Sequence, residues 1–319
     1  MSEDLRISPS QIIERYLSME LVRVTERAAV SAARLRGHGN EKAADQAAVD
    51  AMRRELNRLP IDGEIVIGER VGTRQGPKVH IAVDPLEGTT LCAKDMPDSI
   101  AVMAMAEAGK LLNAPDVYMD KIAIGPGYAR GVVDLDASPT DNIHALAKAK
   151  GVKPSEISTL IMDRPRHAKL IEEVRKTGCS IRLITDGDVA GVIYCTEPHK
   201  TGIDLYLGIG GAPEGVLAAA ALRCVGGQMQ GRLILDTEEK RARALTMGIT
   251  DPNKKYSMEE MASGDTIVCA TGVTDGGMLK GVKFGRDVIE TETIVYRSIT
   301  GTVRRIQGEH RDFGKFKLD

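Results

Sequence analysis

The stretch Val79-His80-Ile81-Ala82-Val83-Asp84-Pro85-Leu86-Glu87-Gly88-Thr89-Thr90 decides how the rest of this chain is read. Its first five residues are a short, largely apolar run, the pattern of a strand. Two carboxylates and a hydroxyl then follow, Asp84, Glu87 and Thr89. Pro85 fixes one backbone dihedral and Gly88 permits an unusual one. The segment reads as a rigid turn that aims oxygen ligands at one point. Such a donor set suits Mg²⁺ or Mn²⁺, which in turn hold phosphate oxygens. Taken alone, the motif is equally well read as a strand-to-turn transition with solvated acids, so the remainder of the chain has to weight it.

Two helices precede this stretch. In the first, Leu17, Leu21, Val24, Ala28 and Leu35 keep helical spacing until Gly37-His38-Gly39-Asn40 interrupts it. The second is expected from about Glu41 to Leu59, with Val49, Met52 and Leu56 as its apolar stripe. Asp45 falls on that stripe, and an inward carboxylate needs a cation or donors. An Arg or Lys partner and a metal ion both satisfy it.

Beyond the helices, strands end repeatedly in acids, glycines or arginines. Ile65-Val66-Ile67 ends at Gly68-Glu69. Ile100 to Met105 and Leu111-Leu112 flank Glu107-Ala108-Gly109-Lys110, which predicts a hairpin. Leu160-Ile161-Met162 leads into Asp163-Arg164-Pro165-Arg166-His167. Ile181 to Ile184 leads into Thr185-Asp186-Gly187-Asp188. Ile203 to Leu207 leads into Gly208-Ile209-Gly210-Gly211-Ala212-Pro213-Glu214-Gly215 and a helix from Val216 to Val225. A helix at Glu238 to Met247, a strand at Thr266 to Cys269 and late strands near Thr293–Val295 and Val303–Ile306 complete the series. In open α/β sheets ligands gather at the carboxyl ends of strands, so these turns together suggest one polar site. The division at Lys150-Gly151 gives residues 1–150 as an N-terminal metal-binding lobe. Residues 151–319 then form a C-terminal α/β lobe completing the substrate site, unless the two make one catalytic unit.

Each constellation carries a plain reading beside the functional one. The glycines at 208, 210 and 211 do not make a dinucleotide fingerprint, because its third glycine would fall at Pro213. They fit a helix N-terminus better, with Pro213 in the first turn and backbone N–H groups free to approach an anion. Glu214 is favoured there by the helix dipole and would also face a metal. Arg164 and Arg166 present two guanidinium forks suited to phosphate, or are surface charge before a helix. Asp186-Gly187-Asp188 is either a capping turn or an acceptor of sugar hydroxyls. Tyr118 reads as core rather than ligand. His167 is the only histidine in a candidate site, as a helper in anion binding.

Bulk properties narrow the classes. A formal charge of −2 argues against nucleic acid or an acidic membrane as partner. No apolar run reaches transmembrane length, and Met1-Ser2-Glu3-Asp4-Leu5-Arg6 lacks the order of a signal peptide. Cys92, Cys179, Cys195, Cys224 and Cys269 are odd in number and scattered, which fits free thiols in a reducing cytoplasm. Aromatic content of 3% makes base stacking a weak prospect. No serine, cysteine or histidine has a triad context, so the chemistry implied is metal-activated water attacking phosphorus.

Taken together, Ala44-Asp45, Gly68-Glu69, Asp84 to Thr89, Asn113-Ala114-Pro115-Asp116-Val117-Tyr118-Met119, Arg164 to His167, Asp186 to Asp188 and Gly208 to Gly215 closely resemble class II fructose-1,6-bisphosphatase. The likeness runs to Thr302-Val303-Arg304-Arg305-Ile306. The Asp-Pro-Leu-Glu-Gly-Thr element also marks the wider lithium-sensitive phosphatase superfamily, inositol monophosphatases included. The resemblance implies an α/β/α/β/α layered fold and Mn²⁺- or Mg²⁺-dependent hydrolysis of the 1-phosphate of fructose 1,6-bisphosphate in gluconeogenesis. It implies a cytoplasmic homo-oligomer, dimer or tetramer. By motif matching, Asp45, Glu69, Asp84, Glu87 and Glu214 take the metal-ligand positions. Glu87, Gly88, Thr89, Tyr118, Arg164, Pro165, Arg166, Asp186, Gly187, Asp188 and Gly211 take the sugar-phosphate positions. Thr89, Glu69 and Asp45 are the catalytic candidates, with the Thr89 hydroxyl beside the attacking water.

The chain departs from the resemblance at one place. The family's Gly-Glu normally continues as an acidic loop of the form G-E-x-D-E-A-P-M-L-Y-I-G-E before V-G-T, whereas Glu69 runs directly into Arg70-Val71-Gly72-Thr73. Glu69 matches either Gly-Glu of that pattern. Lys42 is also shifted by one position, and His80 stands where an acid is common. Either the chain has lost the loop or a mobile segment interrupts it here. The second is the expectation, with a chain break between Glu69 and Arg70. Loss would leave a catalytically impaired sugar-phosphate-binding protein. A related phosphatase, acting on sedoheptulose 1,7-bisphosphate or an inositol phosphate, is the remaining alternative.

Overall fold

The chain builds two sheets, and it builds the first of them from both of its ends. The computed structural model describes residues 17–66 and 68–317; Ile67, expected to close a strand, lies outside them. Helices α1 (Ser18–Ala33) and α2 (Glu41–Leu56) come first. Strands β1 (Asp62–Ile65), β2 (Arg70–Val71), β3 (Lys78–Glu87) and β4 (Ile100–Glu107) follow, with the short helix α3 (Thr89–Ala93) between the last two.

The chain then leaves this sheet and forms a second. It comprises β5 (Tyr118–Ile124), β6 (Ser158–Met162), β7 (Ser180–Ile184), β8 (Leu205–Gly211), β9 (Gln228–Leu233) and β10 (Lys255–Ser257), in the order β10-β9-β5-β8-β6-β7. Interleaved with these strands are α4 (Pro139–Lys150), α5 (Ala168–Lys176), α6 (Asp188–Ile193), α7 (Pro198–Thr201), α8 (Ala212–Val225) and α9 (Glu238–Thr246), and α10 (Met258–Met261) follows β10. Strands β11 (Thr266–Gly272), β12 (Lys283–Phe284), β13 (Ile289–Arg297) and β14 (Thr302–His310) return to the first sheet. Its order is β12-β13-β11-β4-β3-β1-β2, with β14 on β13. The boundary expected at Lys150-Gly151 falls inside the segment that builds the second sheet.

Period-two alternation explains the layering. On β4, Ala101, Met103 and Met105 face α1 and α2, while Ile100, Val102, Ala104 and Ala106 face the interior between the sheets. On β5, Met119 and Ala123 face that same interior, and Ile122 and Ile124 face the cluster that includes Ile143 and Leu146 of α4 and Ile171 and Val174 of α5. The interior is filled by α8, buried from Gly215 to Leu222. A helix apolar all round belongs in a core, and its run Ala218-Ala219-Ala220-Ala221 lets both sheets approach it. The layers are therefore α1/α2, first sheet, α8, second sheet, α4/α5, the five-layer fold expected from the resemblance.

One expected element is absent. Leu111-Leu112 does not fold back along β4: Leu111 makes an isolated antiparallel bridge to Ala262, and the Leu112 N–H donates to Met261 at 2.8 Å. The turn after Glu107 forms, but the chain leaves toward the end of α10. All five cysteines are free and buried.

Candidate active site

The first of the acids depend on an irregularity in β3. Pairing with β4 matches Asp84 to Val102 and Glu87 to Ile100, so three steps on β3 span two on its partner. Pro85 has no N–H to give the ladder and is tolerated at such a bulge. Residues three apart on a regular strand point to opposite faces. The extra residue turns Glu87 to the side of Asp84, and the two carboxyls hydrogen-bond to each other. Gly88 then takes a left-handed φ of 76° and opens α3 at Thr89, which is half-buried.

Burial pushes the Asp84 carboxyl up to about 6, aided by the charges of Glu214 and Asp45 and opposed by its hydrogen bond with Glu87. Burial also raises Glu87 well above the ordinary range, with Asp84, Asp188 and Glu214 adding to the effect. Both carboxyls of the pair are thus pushed toward their neutral forms by burial and by each other. The Val189 N–H at the start of α6 donates to Glu87 Oε1 at 2.5 Å. Asp45, half-buried on α2, is raised by burial. Glu214 in the first turn of α8 is raised by burial and partly offset by its own N–H and by Lys121. Asp84 thus lies within electrostatic reach of Asp45, Glu87 and Glu214, and Glu87 of Glu214. They form a hard-oxygen donor set with too little positive charge among them. Among the described residues no three His, Cys, Asp or Glu side chains stand close enough to hold an ion as they are.

Glu69 stands apart. Its carboxylate is forked by Arg53 of α2, with Nε–Oε1 at 2.9 Å and Nη2–Oε2 at 3.0 Å. Glu69 is followed directly by Arg70 in the 319-residue sequence, so no segment lies between them. The Ile65 N–H donates to the Glu69 carbonyl at 2.7 Å, and Arg70 pairs with Glu64 across β1 and β2. The acidic loop is absent from the 319-residue sequence, and a tight turn closes the place.

The basic side of the site comes from the second sheet. Arg164 precedes the 3₁₀ turn Pro165–His167, and its Nη2 lies 3.8 Å from Asp186 Oδ1. Asp186 Oδ2 accepts from the Thr90 N–H at 3.3 Å, joining this turn to α3. Arg166 is exposed but held in place. Its Nε and Nη2 donate to the Ile209 carbonyl at 3.2 and 2.7 Å, and its guanidinium lies 4.8 Å from the Tyr118 ring centroid. Tyr118 is 49% exposed, so it is not the core residue expected but a platform under Arg166. Gly187 caps α6 with a φ of 93°.

Two expectations change at this turn. His167 is buried with both ring nitrogens engaged. Nδ1 donates to the Met162 carbonyl at 2.7 Å and Nε2 accepts the Ile209 N–H at 2.8 Å. Desolvation lowers its pKa, which keeps the ring neutral. It clamps the ends of β6 and β8 together and has no nitrogen left for an anion. Asp188 is buried and bound by Lys121 and by the Tyr206 hydroxyl.

Lys121 and Tyr206 were missed from the sequence. Lys121 is fully buried and also donates to the Gly211 carbonyl at 2.9 Å. The signal was present: between Met119 and Ala123, it occupies an inward position of β5, where a charge needs a partner. The two glycines before α8 make room for carboxylates. A Cβ on Gly210 would lie 2.0 Å from Asp188 Oδ2, and one on Gly211 would lie 1.8 Å from Glu214 Oε2.

Electrostatically linked acids at a bulged strand end and two arginines at the second sheet, on a five-layer α/β frame, suit a phosphatase acting on phosphate monoesters. The family model described as "Bacterial fructose-1,6-bisphosphatase, glpX-encoded" matches residues 15–310, and the chain belongs to that family. A relative from Synechococcus sp. (strain JA-3-3Ab), named D-fructose 1,6-bisphosphatase class 2/sedoheptulose 1,7-bisphosphatase, is 41% identical over 341 residues, covering 95% of this chain and 98% of its own. A protein of the same name from Synechococcus sp. (strain CC9311) is 42% identical over 317 residues, covering 91% and 94%. The first alignment is longer than this chain, so that relative carries segments with no counterpart here. Among solved structures, the extragenic suppressor protein suhB from Bartonella henselae aligns with a TM-score of 0.35 and 16% identity, covering 56% of this chain and 71% of its own.

Proposed function

We propose that this chain hydrolyses the 1-phosphate of fructose 1,6-bisphosphate with Mn²⁺ or Mg²⁺ held by Asp45, Asp84, Glu87 and Glu214. The observation that carries the reading is the set of electrostatically linked carboxyls on the bulged end of β3, on α2 and at the start of α8. A divalent cation bound there supplies charge shielding at phosphorus and an activated water. The protein's own part is positioning. The start of α3 presents the Thr89 hydroxyl beside the reacting phosphate. The remaining N–H donors of Arg166, whose Nε–Nη2 edge is fixed on the Ile209 carbonyl, take with Arg164 the phosphate that is not cleaved. Asp186 and Gly187 face the sugar. The phosphate-dense substrate suits a site with acids at one end and arginines at the other.

The absence of the acidic loop from the sequence at Glu69-Arg70 supports a second reading, in which binding is intact and turnover is impaired. The bidentate Arg53–Glu69 pair adds to it, because it occupies one of the expected metal ligands. Phosphate release from fructose 1,6-bisphosphate, measured with and without Mn²⁺ beside direct binding of the substrate, tests both. Binding without release supports the second reading, and neither binding nor release refutes both. Sedoheptulose 1,7-bisphosphate, acted on by the relatives as their name states, belongs in the same assay.

A further inference from the structure

We infer that Lys121 is a built-in counter-ion that sets how tightly the acid cluster binds a divalent cation. The proposal rests on the reading that this cluster holds a metal. Lys121 is a positioning residue, since its ammonium touches no atom expected to react.

The geometry is specific. The Lys121 side chain has no solvent exposure, and Nζ reaches Asp188 and the Gly211 carbonyl. It therefore ties β5 to the first residue of α6 and to the residue that opens α8. The same ammonium is close enough to favour ionised Glu214, and Asp188 is close enough to disfavour ionisation of Glu87. Lys121 and Asp188 form a neutral pair set into the edge of the cluster. Tyr206, donating to the other oxygen of Asp188, holds that carboxylate in register. Gly210 leaves it room.

A fixed positive charge beside a cation site opposes a second cation, and in a partly dehydrated setting the effect is large. Removing Lys121 alone removes that repulsion and also leaves Asp188 as an unpaired anion; both changes favour a divalent ion. Removing Asp188 alone leaves the ammonium unopposed and disfavours it. Removing both restores the net charge. A purely structural role predicts otherwise, because damage to the packing weakens cation binding in every variant.

The test is Mn²⁺ titration of the purified full chain, followed by calorimetry and by the paramagnetic signal of free Mn²⁺. Lys121→Met should bind Mn²⁺ about tenfold tighter or more, and Asp188→Asn about tenfold weaker or more. The double variant should return to within about threefold of the starting affinity, and Lys121→Arg should stay there as well. If Lys121→Met does not fold without metal, the double variant carries the test, because charge balance predicts near-starting affinity there and a structural role predicts weaker binding. Unchanged or weaker Mn²⁺ binding in folded Lys121→Met, or unchanged binding in Asp188→Asn, would overturn the inference while leaving the metal site standing. Starting protein that binds no Mn²⁺ overturns both.

Discussion

Gly210 and Gly211 are adjacent, both lie against a carboxylate, and substitution of each by alanine should have a different consequence. On Gly210 the new Cβ would meet Asp188 Oδ2 at 2.0 Å and Cγ at 2.3 Å. Asp188 is held by Lys121 and Tyr206, so it yields only by breaking a buried ion pair. Overpacking costs about 1–3 kcal/mol and an uncompensated buried charge about 3–5 kcal/mol. A loss of about 3 kcal/mol corresponds to roughly 6–12 °C in Tm at 2–4 °C per kcal/mol. On Gly211 the backbone (φ −65°, ψ 146°) suits alanine, and the collision is with the far end of the Glu214 side chain, at 1.8 Å from Oε2. That side chain swings away at the loss of a favourable place at a helix N-terminus, about 0.3–1 kcal/mol. Gly211→Ala should therefore fold nearly as well as the parent protein. Its Mn²⁺ affinity should fall about tenfold or more, since roughly 1.4 kcal/mol of ligand energy is enough for that. Calorimetric melting and Mn²⁺ titration of the two variants separate the cases. Equal destabilisation of both, or parental Mn²⁺ affinity in Gly211→Ala, would refute the reasoning.

Three further outcomes are expected. Arg166→Ala should raise KM about 10–100-fold with little change in Tm, because a charge-assisted hydrogen bond contributes about 1.5–3 kcal/mol; unchanged KM and kcat would remove the residue from the site. The 319-residue chain, its mass verified, should bind fructose 1,6-bisphosphate yet turn it over about 10²–10⁴-fold more slowly with Mn²⁺ than a loop-bearing relative, the range that general-base assistance covers. Equal turnover in a side-by-side phosphate-release assay would show the loop to be dispensable. The third outcome concerns His310, which burial and the nearby Lys315 and Arg27 lower to about 4. Because its folded value is depressed, the unfolded chain takes up the proton first. Stability is full above about pH 6.5 and falls by up to about 3 kcal/mol as pH drops toward 4. Glu26 beside it is raised by burial and acts in the opposite sense. The difference in Tm between parent protein and His310→Gln, followed from pH 7 to pH 4, isolates the histidine; a constant difference would exclude it.

The sequence was most legible where chemistry and periodicity coincide. The apolar run into Asp84-Pro85 marked a strand and a site, although the strand runs on through a bulge to Glu87 where an end at Asp84 was expected, and the Pro–Gly punctuation around α8 located its start. Less could be read where pairing is non-local. The bulge that turns Glu87 toward Asp84 depends on register with β4. The Arg53–Glu69 pair depends on a helix packing beside a turn sixteen residues on. Lys121 was passed over because no strand was expected at Tyr118–Ile124, so its inward position could not be read. Leu111-Leu112 was misread as a hairpin partner because a turn signal fixes a reversal but not what the chain pairs with afterwards. Which strands share a sheet was not legible at all, since that is settled by contacts between the two ends of the chain.

That last property bears on how the molecule is made. Strand β4 pairs with β11, joining Ile100 to Gly272 and Ala106 to Thr266. During synthesis β4 therefore leaves the ribosome with one edge unpaired and stays so until the whole second sheet has been translated. Contacts so distant in sequence form slowly, and open strand edges invite pairing between chains. The nascent polypeptide thus holds the Asp84 and Glu87 half of its site before the Glu214 half exists. Chaperone contact during that interval would protect the β4 edge, and a stop codon between β4 and Thr266 would release a chain in which this almost wholly buried strand has no neighbour on one side.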